Sequence, residues 1–340
     1  MQLAWKLGNL VEEKVMTGEM SSSLSSRHFR LERLTEGVYT AVHTDGGWMI
    51  CNAGIVDLGD RTLVFDTGLT PEAASDLRDA AEVLTGRLPN YVVNSHCHND
   101  HIRGNQVFVE AMTISTERTR ELFATKGQAE LDADRKDARE HLAEMEAFAK
   151  SENQEKRNVA ALFLPYWQGI LASVPEIKLR PPELTFKDWL TFHGTDRTAE
   201  LIAVGGGHTE SDCVLFLPQE GVIFCGDLLF VQGHPYLGDG DPETLLSILD
   251  RVNNLTANVF VPGHGPVGER ADLNKMQLYV RRLMQQVREV VVRGGTVEEA
   301  VRQPVPQPFT DWRFAQPFYE GNLRFLYGLL TELNKTCSTF

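Results

Sequence analysis

The distribution of apolar runs along the 340 residues predicts an α+β protein, an αββα sandwich of two mixed β-sheets with helices outside. Three observations predict it. Short strand-like runs come in two batches, one before residue 97 and one after residue 183. Each batch is followed by helical sequence, and polar loops close several of the strands. A sheet must bury one face and a helix one stripe, so two facing sheets with outer helices satisfy both.

The elements follow in order. Residues 1–27, ending in "SSSLSS", read as an N-terminal extension with a flexible joint. Strand-like runs then appear as "VYTAVH" (38–43), "WMICNAGIVDLG" (48–59) and "RTLVFDTG" (61–68), with Asp60 marking a hairpin turn and Asp66 closing a buried strand. In "TPEAASDLRDAAEVL" (70–84), Thr70 stands at the N-cap, Pro71 at N1 and Glu72 at N2, which starts a helix. The next strand is "YVVNSH" (91–96). Residues 117–172 change character: they are long, charged and helical, and end in the aromatic "LFLPYWQG" (162–169). Strands resume with "LTFKDWLTFH" (184–193), "AELIAVGGGH" (199–208) and a hairpin in "CVLFLPQEGVIFCGD" (213–227) that turns across Pro218–Gly221. A helix over 242–255 and a strand leading into "NVFVPGHG" (258–265) complete the second batch. The expected organisation is a catalytic domain over 28–270 containing the helical insertion 117–172, and a helical region 271–340 packed on the same domain.

Composition narrows the function classes. Lys and Arg number 33 against 47 Asp and Glu, a formal net charge of −14 that speaks against a phosphate-tracking nucleic-acid binder. Five cysteines, an odd number with no CxxC pair, read as free thiols of a reducing compartment. No signal-peptide core and no apolar run of about 18 residues occurs, so a cytoplasmic protein with no membrane association is expected.

The chemistry concentrates at strand ends. "NSHCHNDH" (94–101) holds His96, His98, Asp100 and His101, although the whole chain has only ten histidines. Three later loops each present one more metal-capable side chain: His208 after "LIAVGGG", Asp227 after "GVIFCG" and His264 after "NVFVPG". Five imidazoles and two carboxylates suit zinc, iron or similar divalent metals rather than calcium or magnesium. Seven non-thiol ligands exceed one tetrahedral ion and divide naturally between two, which in such sites lie roughly 3.5–4 Å apart. Cys97, between two histidines, is expected to point away from them along an extended segment, and Cys225 to be a core residue. "GHGPVG" (263–268) matches the dinucleotide GxGxxG pattern only formally, since Pro266 interrupts it and no helix opens directly after it.

"HCHNDH" (96–101) matches the HxHxDH signature of the metallo-β-lactamase superfamily, and "VFDTG", "GGGHTESD", "IFCGD" and "VPGHGP" resemble its further motifs in order. The resemblance covers residues 30–270. It implies one metal on His96, His98 and His208, a second on Asp100, His101 and His264, and Asp227 bridging both. It also implies Asp66 as a carboxylate that orients the site from behind the ligands. The ions would be zinc, with iron or manganese as alternatives. A metal-bridging hydroxide would attack an ester, thioester, lactone or amide carbonyl, with Asp100 orienting that nucleophile.

Glyoxalase II, acyl-homoserine lactonases and β-lactamases share this chemistry. A mononuclear-iron redox enzyme, persulfide-dioxygenase-like, is the alternative within the superfamily, and a nuclease a more distant one. The complete second-metal set favours hydrolysis. His234 and Tyr236, shortly after Asp227, are candidates for contacting a small-molecule substrate. Residues 117–172 are either a lid, with Phe163, Tyr166 and Trp167 as apolar walls, or the surface of a homodimer.

Overall fold

The computed structural model describes Leu24 and residues 26–337. The extension expected over 1–27 therefore lies, apart from Leu24 and residues 26–27, outside the described residues. The first sheet has seven strands in sequential order: β1 Phe29–Thr35, β2 Val38–His43, β3 Ala53–Asp57, β4 Thr62–Phe65, β5 Tyr91–Val93, β6 Met112–Thr116 and β7 Leu184–Phe186. The pairs from β1 to β4 are antiparallel, and those from β4 to β7 parallel. The second sheet contains β8 Trp189–His193, β9 Thr198–Ala203, β10 Cys213–Leu217, β11 Val222–Phe230 and β12 Val259–His264 in the order β12-β11-β10-β9-β8. Only β11 and β12 run parallel in it, so both sheets are mixed, as predicted.

Side-chain alternation produces the layers. In β4, Leu63 and Phe65 face inward to meet Leu215, Phe224 and Val261 of the second sheet. Val64 between them faces outward onto Ala73, Leu77 and Ala80 of helix α1 (Pro71–Thr85). In β11, Val222 and Phe224 face the first sheet, whereas Ile223 and Cys225 face the opposite layer of helices. That layer comprises α6 (Pro242–Asn253), α7 (Arg270–Val292) and α9 (Glu320–Cys337), which contribute Leu249, Leu283 and Leu326 to one core. The result is the αββα sandwich, with Cys225 buried in its core.

Helix α1 begins as the sequence predicts: the Thr70 hydroxyl accepts from the Ala73 N–H at 3.3 Å, and Pro71 occupies the first turn. Gly86 ends it in the left-handed conformation, φ 73°. A short helix α2 (Asn99–Ile102) follows β5. The helical insertion is α3 (Glu117–Leu122), a π turn, α4 (Gln128–Ala149) and α5 (Gln154–Ser173), with α4 and α5 packed together. The short α8 (Val297–Val301) precedes α9. No described helix is long and apolar enough to cross a membrane.

Two expectations about strands need correction. The run 184–193 is not one strand but two, because the chain leaves the first sheet at Phe186 and joins the second at Trp189. Leu184 pairs with Ile114 in a parallel ladder, whereas Trp189 pairs with Ile202 in an antiparallel one. Asp227 does not follow the end of its strand; it lies inside the nine-residue β11. A bulge at Gly226, φ 53°, shifts the register there, and "LLF" continues the buried strand beyond it.

Candidate metal centre

The site forms where β4, β5, β9 and β12 end and β11 bulges, at one edge of the sandwich. Asp66, directly after β4, adopts the left-handed conformation at φ 63°, which is rare for a residue with a Cβ. That turn aims its buried carboxylate at the loop after β5. One oxygen accepts the Ser95 backbone N–H at 2.8 Å, and the other lies 2.8 Å from His101 Nδ1. Behind this pair, Thr67, Asn94 and Asn105 form a buried hydrogen-bonded network, and both Thr67 and Asn94 donate to the His101 carbonyl. Helix α2, which carries Asp100 and His101, is thereby fixed to the sheet through neutral groups.

The remaining imidazoles are oriented in the same way, each through its outer nitrogen. His96 Nδ1 meets Ser95 Oγ at 2.9 Å, and His98 Nε2 meets the Asp239 carboxylate at 2.9 Å. His208 Nδ1 lies 3.0 Å from the Tyr236 carbonyl, and His264 Nδ1 lies 3.2 Å from the Ile50 carbonyl. The His208 loop is itself held by buried Asp212, which accepts from the backbone N–H groups of His208 and Thr209. Burial pushes the Asp212 carboxyl up to about 6.

The inner nitrogens converge on Asp227. Its Oδ1 lies 3.2 Å from His101 Nε2, and its Oδ2 lies 3.2 Å from His264 Nε2, 3.4 Å from His208 Nε2 and 4.0 Å from His96 Nε2. Asp100 Oδ2 approaches His264 and His101 at 3.5 and 3.6 Å. His98 Nδ1 sits 3.0 Å from His208 Nε2. Gly263 makes this approach of strands possible, because a Cβ there would collide with the Asp227 carboxylate.

Charge is unevenly distributed over the cluster. Burial holds His96 well below the usual imidazole range and His208 down at about 3. Burial also opposes charge on His101, yet Cys51, Asp227, Asp100 and Asp66 outweigh it and raise that imidazole well above its ordinary value. Burial likewise works against charge on Asp227, but the neighbouring His264 and His101 hold its carboxyl well below the usual range.

The donor set fits divalent cations. His96 Nε2, His101 Nε2 and Asp227 Oδ1 are buried and have no hydrogen-bond partner, although buried polar atoms are nearly always paired. All three point into the same space. The ligand atoms fall into two groups, His96, His98, His208 and Asp227 in one and Asp100, His101 and His264 in the other, each within 4.8 Å. Imidazoles with one or two carboxylates are the donors that zinc and similar ions take. Cys97 belongs to neither group, and burial pushes its thiol up to about 11, so a thiolate ligand is not offered there.

A cavity of about 690 Å³ opens over the cluster. Asp100, Asp227, His98, His208 and His264 line its floor, and Tyr236 is part of its wall. Phe163 and Tyr166 of the insertion form another part, and Asn99 donates to the Tyr166 hydroxyl at 2.7 Å. Trp167 instead packs on His141, with ring centroids 4.4 Å apart.

His234 is corrected: it does not line the cavity but is fully buried, with Nδ1 2.8 Å from the Tyr279 hydroxyl and its ring among Tyr279, Trp312 and Tyr319. The chain is irregular after the Gly233–Arg313 bridge, and the His234 N–H donates to the Arg313 carbonyl while its ring enters the helical layer. Asp239, Asp212 and Ser95 were not anticipated from the sequence. The acid-glycine string "GDGD" (238–241 contains Gly238, Asp239, Gly240 and Asp241) was the only signal for Asp239, which lies 141 residues from the histidine it meets.

Known proteins resemble this chain in sequence and in fold. A beta-lactamase-like protein 2 homolog from Caenorhabditis elegans is 31% identical over 140 residues, which is 41% of this chain and 45% of that protein. A hydroxyacylglutathione hydrolase from Synechococcus sp. is 37% identical over 73 residues, 22% of this chain and 28% of that enzyme. The matched segments thus span less than half the length of these relatives. Among solved structures, a metallo-beta-lactamase from Pontibacter korlensis superposes with a TM-score of 0.54 at 20% identity, over 74% of this chain and 99% of that one. One from Erythrobacter litoralis gives 0.54 at 16% identity, over 76% and 98%. At such identities the structures speak for the fold alone. Residues 46–264, which carry every side chain that converges on Asp227, match the Metallo-beta-lactamase superfamily as a whole, and the chain belongs to that superfamily.

Proposed function

We propose that the protein is a binuclear metal-dependent hydrolase, zinc being the ion its donors suit best, acting on a small ester, thioester, lactone or amide. One observation carries the reading: a buried Asp227 carboxylate faces four imidazoles, with three of the converging atoms otherwise unpaired. His96, His98 and His208 would hold one ion, Asp100, His101 and His264 the other, and Asp227 would contribute to both. When bound, such a pair supplies an acidified water as nucleophile near neutral pH and an electrophile for the carbonyl oxygen. The protein's own part is orientation. Asp66, Asp239, and the Tyr236 and Ile50 carbonyls fix which nitrogen of each histidine faces inward. Asp100 lines the cavity floor, where its carboxylate can take a hydrogen bond from the attacking water and align it with the substrate.

The test joins metal analysis of the purified protein to a hydrolysis screen over thioesters, esters, lactones and β-lactams. Two equivalents of zinc are expected, with turnover that Asp100→Ala lowers at least about a hundredfold. One equivalent of iron with oxygen consumption and no hydrolysis would overturn the reading in favour of a redox enzyme.

A further inference from the structure

We propose that the cavity over the Asp227 cluster takes an uncharged acyl compound ending in a bulky apolar group and discriminates against acyl compounds with a distal anion. This rests on the hydrolase reading for the chemistry but on separate residues for the selection.

Six aromatic rings line the cavity from four separate parts of the chain: Phe163 and Tyr166 on α5, Phe230 on β11, Tyr236 after it, and Phe314 and Phe318 before α9. Phe163 meets Phe318 edge-on at 6.1 Å between centroids, and Phe318 meets Tyr236 at 6.2 Å. The insertion and the C-terminal region therefore close over the metal ligands through their aromatic residues. None of the six except Phe230 is fully buried, so their faces remain available to a ligand.

The C-terminal part of the wall is held in place by unusual backbone. Gln232 and Phe314 both adopt left-handed conformations, φ 58° and 67°, although neither is glycine. Between them, the Arg313 N–H donates to the Gln232 carbonyl at 2.9 Å and the His234 N–H to the Arg313 carbonyl at 2.8 Å. These two left-handed residues lie on adjacent, hydrogen-bonded segments that both line the cavity, so the shape of the wall there is set by the backbone.

The charges lining the cavity do not offer an anion clamp. Arg30 and Arg313 are its guanidinium groups. Arg30 is paired with Glu32 at 2.6 Å, and Arg313 with Asp45 at 2.5 Å. Each guanidinium already lends a nitrogen to a neighbouring carboxylate, so an incoming substrate anion meets a positive charge that is partly compensated rather than a free clamp. Glu130 adds a further carboxyl to the lining, and His43, held at about 4 chiefly by burial, contributes no positive charge at neutral pH. Apolar area is what the wall can recognise.

Two matched measurements test the proposal. Hydrolysis of 4-nitrophenyl acetate, phenylacetate and glutarate monoester by the metal-loaded protein reads selection in turnover. Binding of 6-phenylhexan-2-one against 7-oxooctanoate, both ketones that cannot be hydrolysed, reads selection without chemistry. The phenyl compounds are expected to exceed the anionic ones at least tenfold in kcat/KM and in affinity. Phe318→Ala and, on the other side of the wall, Phe163→Ala should each reduce that ratio at least threefold. If no ester turns over but the phenyl ketone still binds preferentially and Phe318→Ala weakens it, the hydrolase reading fails and the pocket assignment stands. Equal or tighter binding of 7-oxooctanoate, or a ratio that neither variant changes, overturns the assignment.

Discussion

At the scale of single residues, the site depends on positions where a small change has no room. Gly263 lies on β12 where a Cβ would enter the space of the Asp227 carboxylate. The same Cβ would lie 2.9 Å from the Gly226 backbone, so Gly263→Ala should shift the bulge and Asp227 together and weaken metal binding at least about tenfold, about 1.4 kcal/mol. Calorimetric metal titration measures this, and an unchanged affinity would show that the contact does not position the carboxylate. His234 supports a different prediction. Burial lowers its imidazole from an ordinary 6.5 to about 4, so the folded protein keeps it neutral where the unfolded chain would protonate it. Stability from this residue is complete above pH 6.5, falls between pH 6.5 and about 4, and is constant below; the loss amounts to roughly 3 kcal/mol. In His234→Gln that decline should be absent, so the difference in unfolding free energy between the two proteins shrinks with acidity across that window. Equilibrium denaturation at pH 7, 5.5 and 4.5 reads it, and a constant difference would mean the ring titrates normally. His234 also shows where sequence reasoning fails at this scale. Proximity to Asp227 along the chain suggested a substrate contact, but the side chain's direction is set by the pairing of Gly233 and His234 with Arg313, a partner distant in sequence. The seven converging side chains were legible because their residue types and order can be read beside or within four strands, even though Asp227 lies inside its strand rather than after it. Asp239 and Asp212 were not, because their role depends on contacts that the chain makes only after folding.

At the scale of elements, the helical insertion is joined to α2, the helix that carries Asp100 and His101, by two contacts of different kinds. Asn99 at the start of α2 donates to Tyr166 on α5, and buried Arg103, just after α2, pairs with Asp134 on α4. The first is a hydrogen bond at the edge of the cavity; the second is an ion pair whose guanidinium is almost completely removed from water. Removing one partner of such a pair leaves a charge buried without compensation, so Asp134→Ala should destabilise the protein by about 3 kcal/mol or more. Tyr166→Phe should cost only about 1 kcal/mol. Hydrogen exchange adds a spatial check: Asp134→Ala should raise exchange over α4 and α5 and in α2, and protection lost only in the insertion would mean that the elements are not coupled. Sequence periodicity marked the insertion as helical and left open whether its aromatic end walls a pocket or meets a second copy of the chain. What it could not show is that one apolar run, 184–193, serves both sheets, since no turn signal separates Phe186 from Trp189 and strand pairing is decided by distant partners.

At the scale of the whole molecule, the two sheets and their helices bring seven ionisable side chains, from four strands and the segments that follow them, into one buried cluster, an arrangement that apolar packing alone would oppose. Five imidazoles and two carboxylates lose hydration on folding, and three of their polar atoms gain no hydrogen bond within the protein. The cost falls on the folded state, so ions that bind these atoms in the native protein and not in the unfolded chain must stabilise it by mass action. At a free-ion concentration about a thousandfold above the dissociation constant, one ion adds roughly 4 kcal/mol, and a second adds to it. For a protein of 340 residues each kcal/mol moves the melting temperature by about 1–2 °C. Dialysis against a chelator should therefore lower Tm by roughly 10 °C or more, and zinc added back should restore it, while magnesium, which prefers oxygen donors, should not. The restoring effect should be halved or less in His264→Ala, which retains the group of His96, His98, His208 and Asp227 but loses a member of the other. Differential scanning calorimetry on the chelated, zinc-loaded and magnesium-loaded proteins measures all three states. A Tm that chelation leaves unchanged would mean that the buried cluster is stable on its own, and the two-ion reading of its geometry would fall with that result.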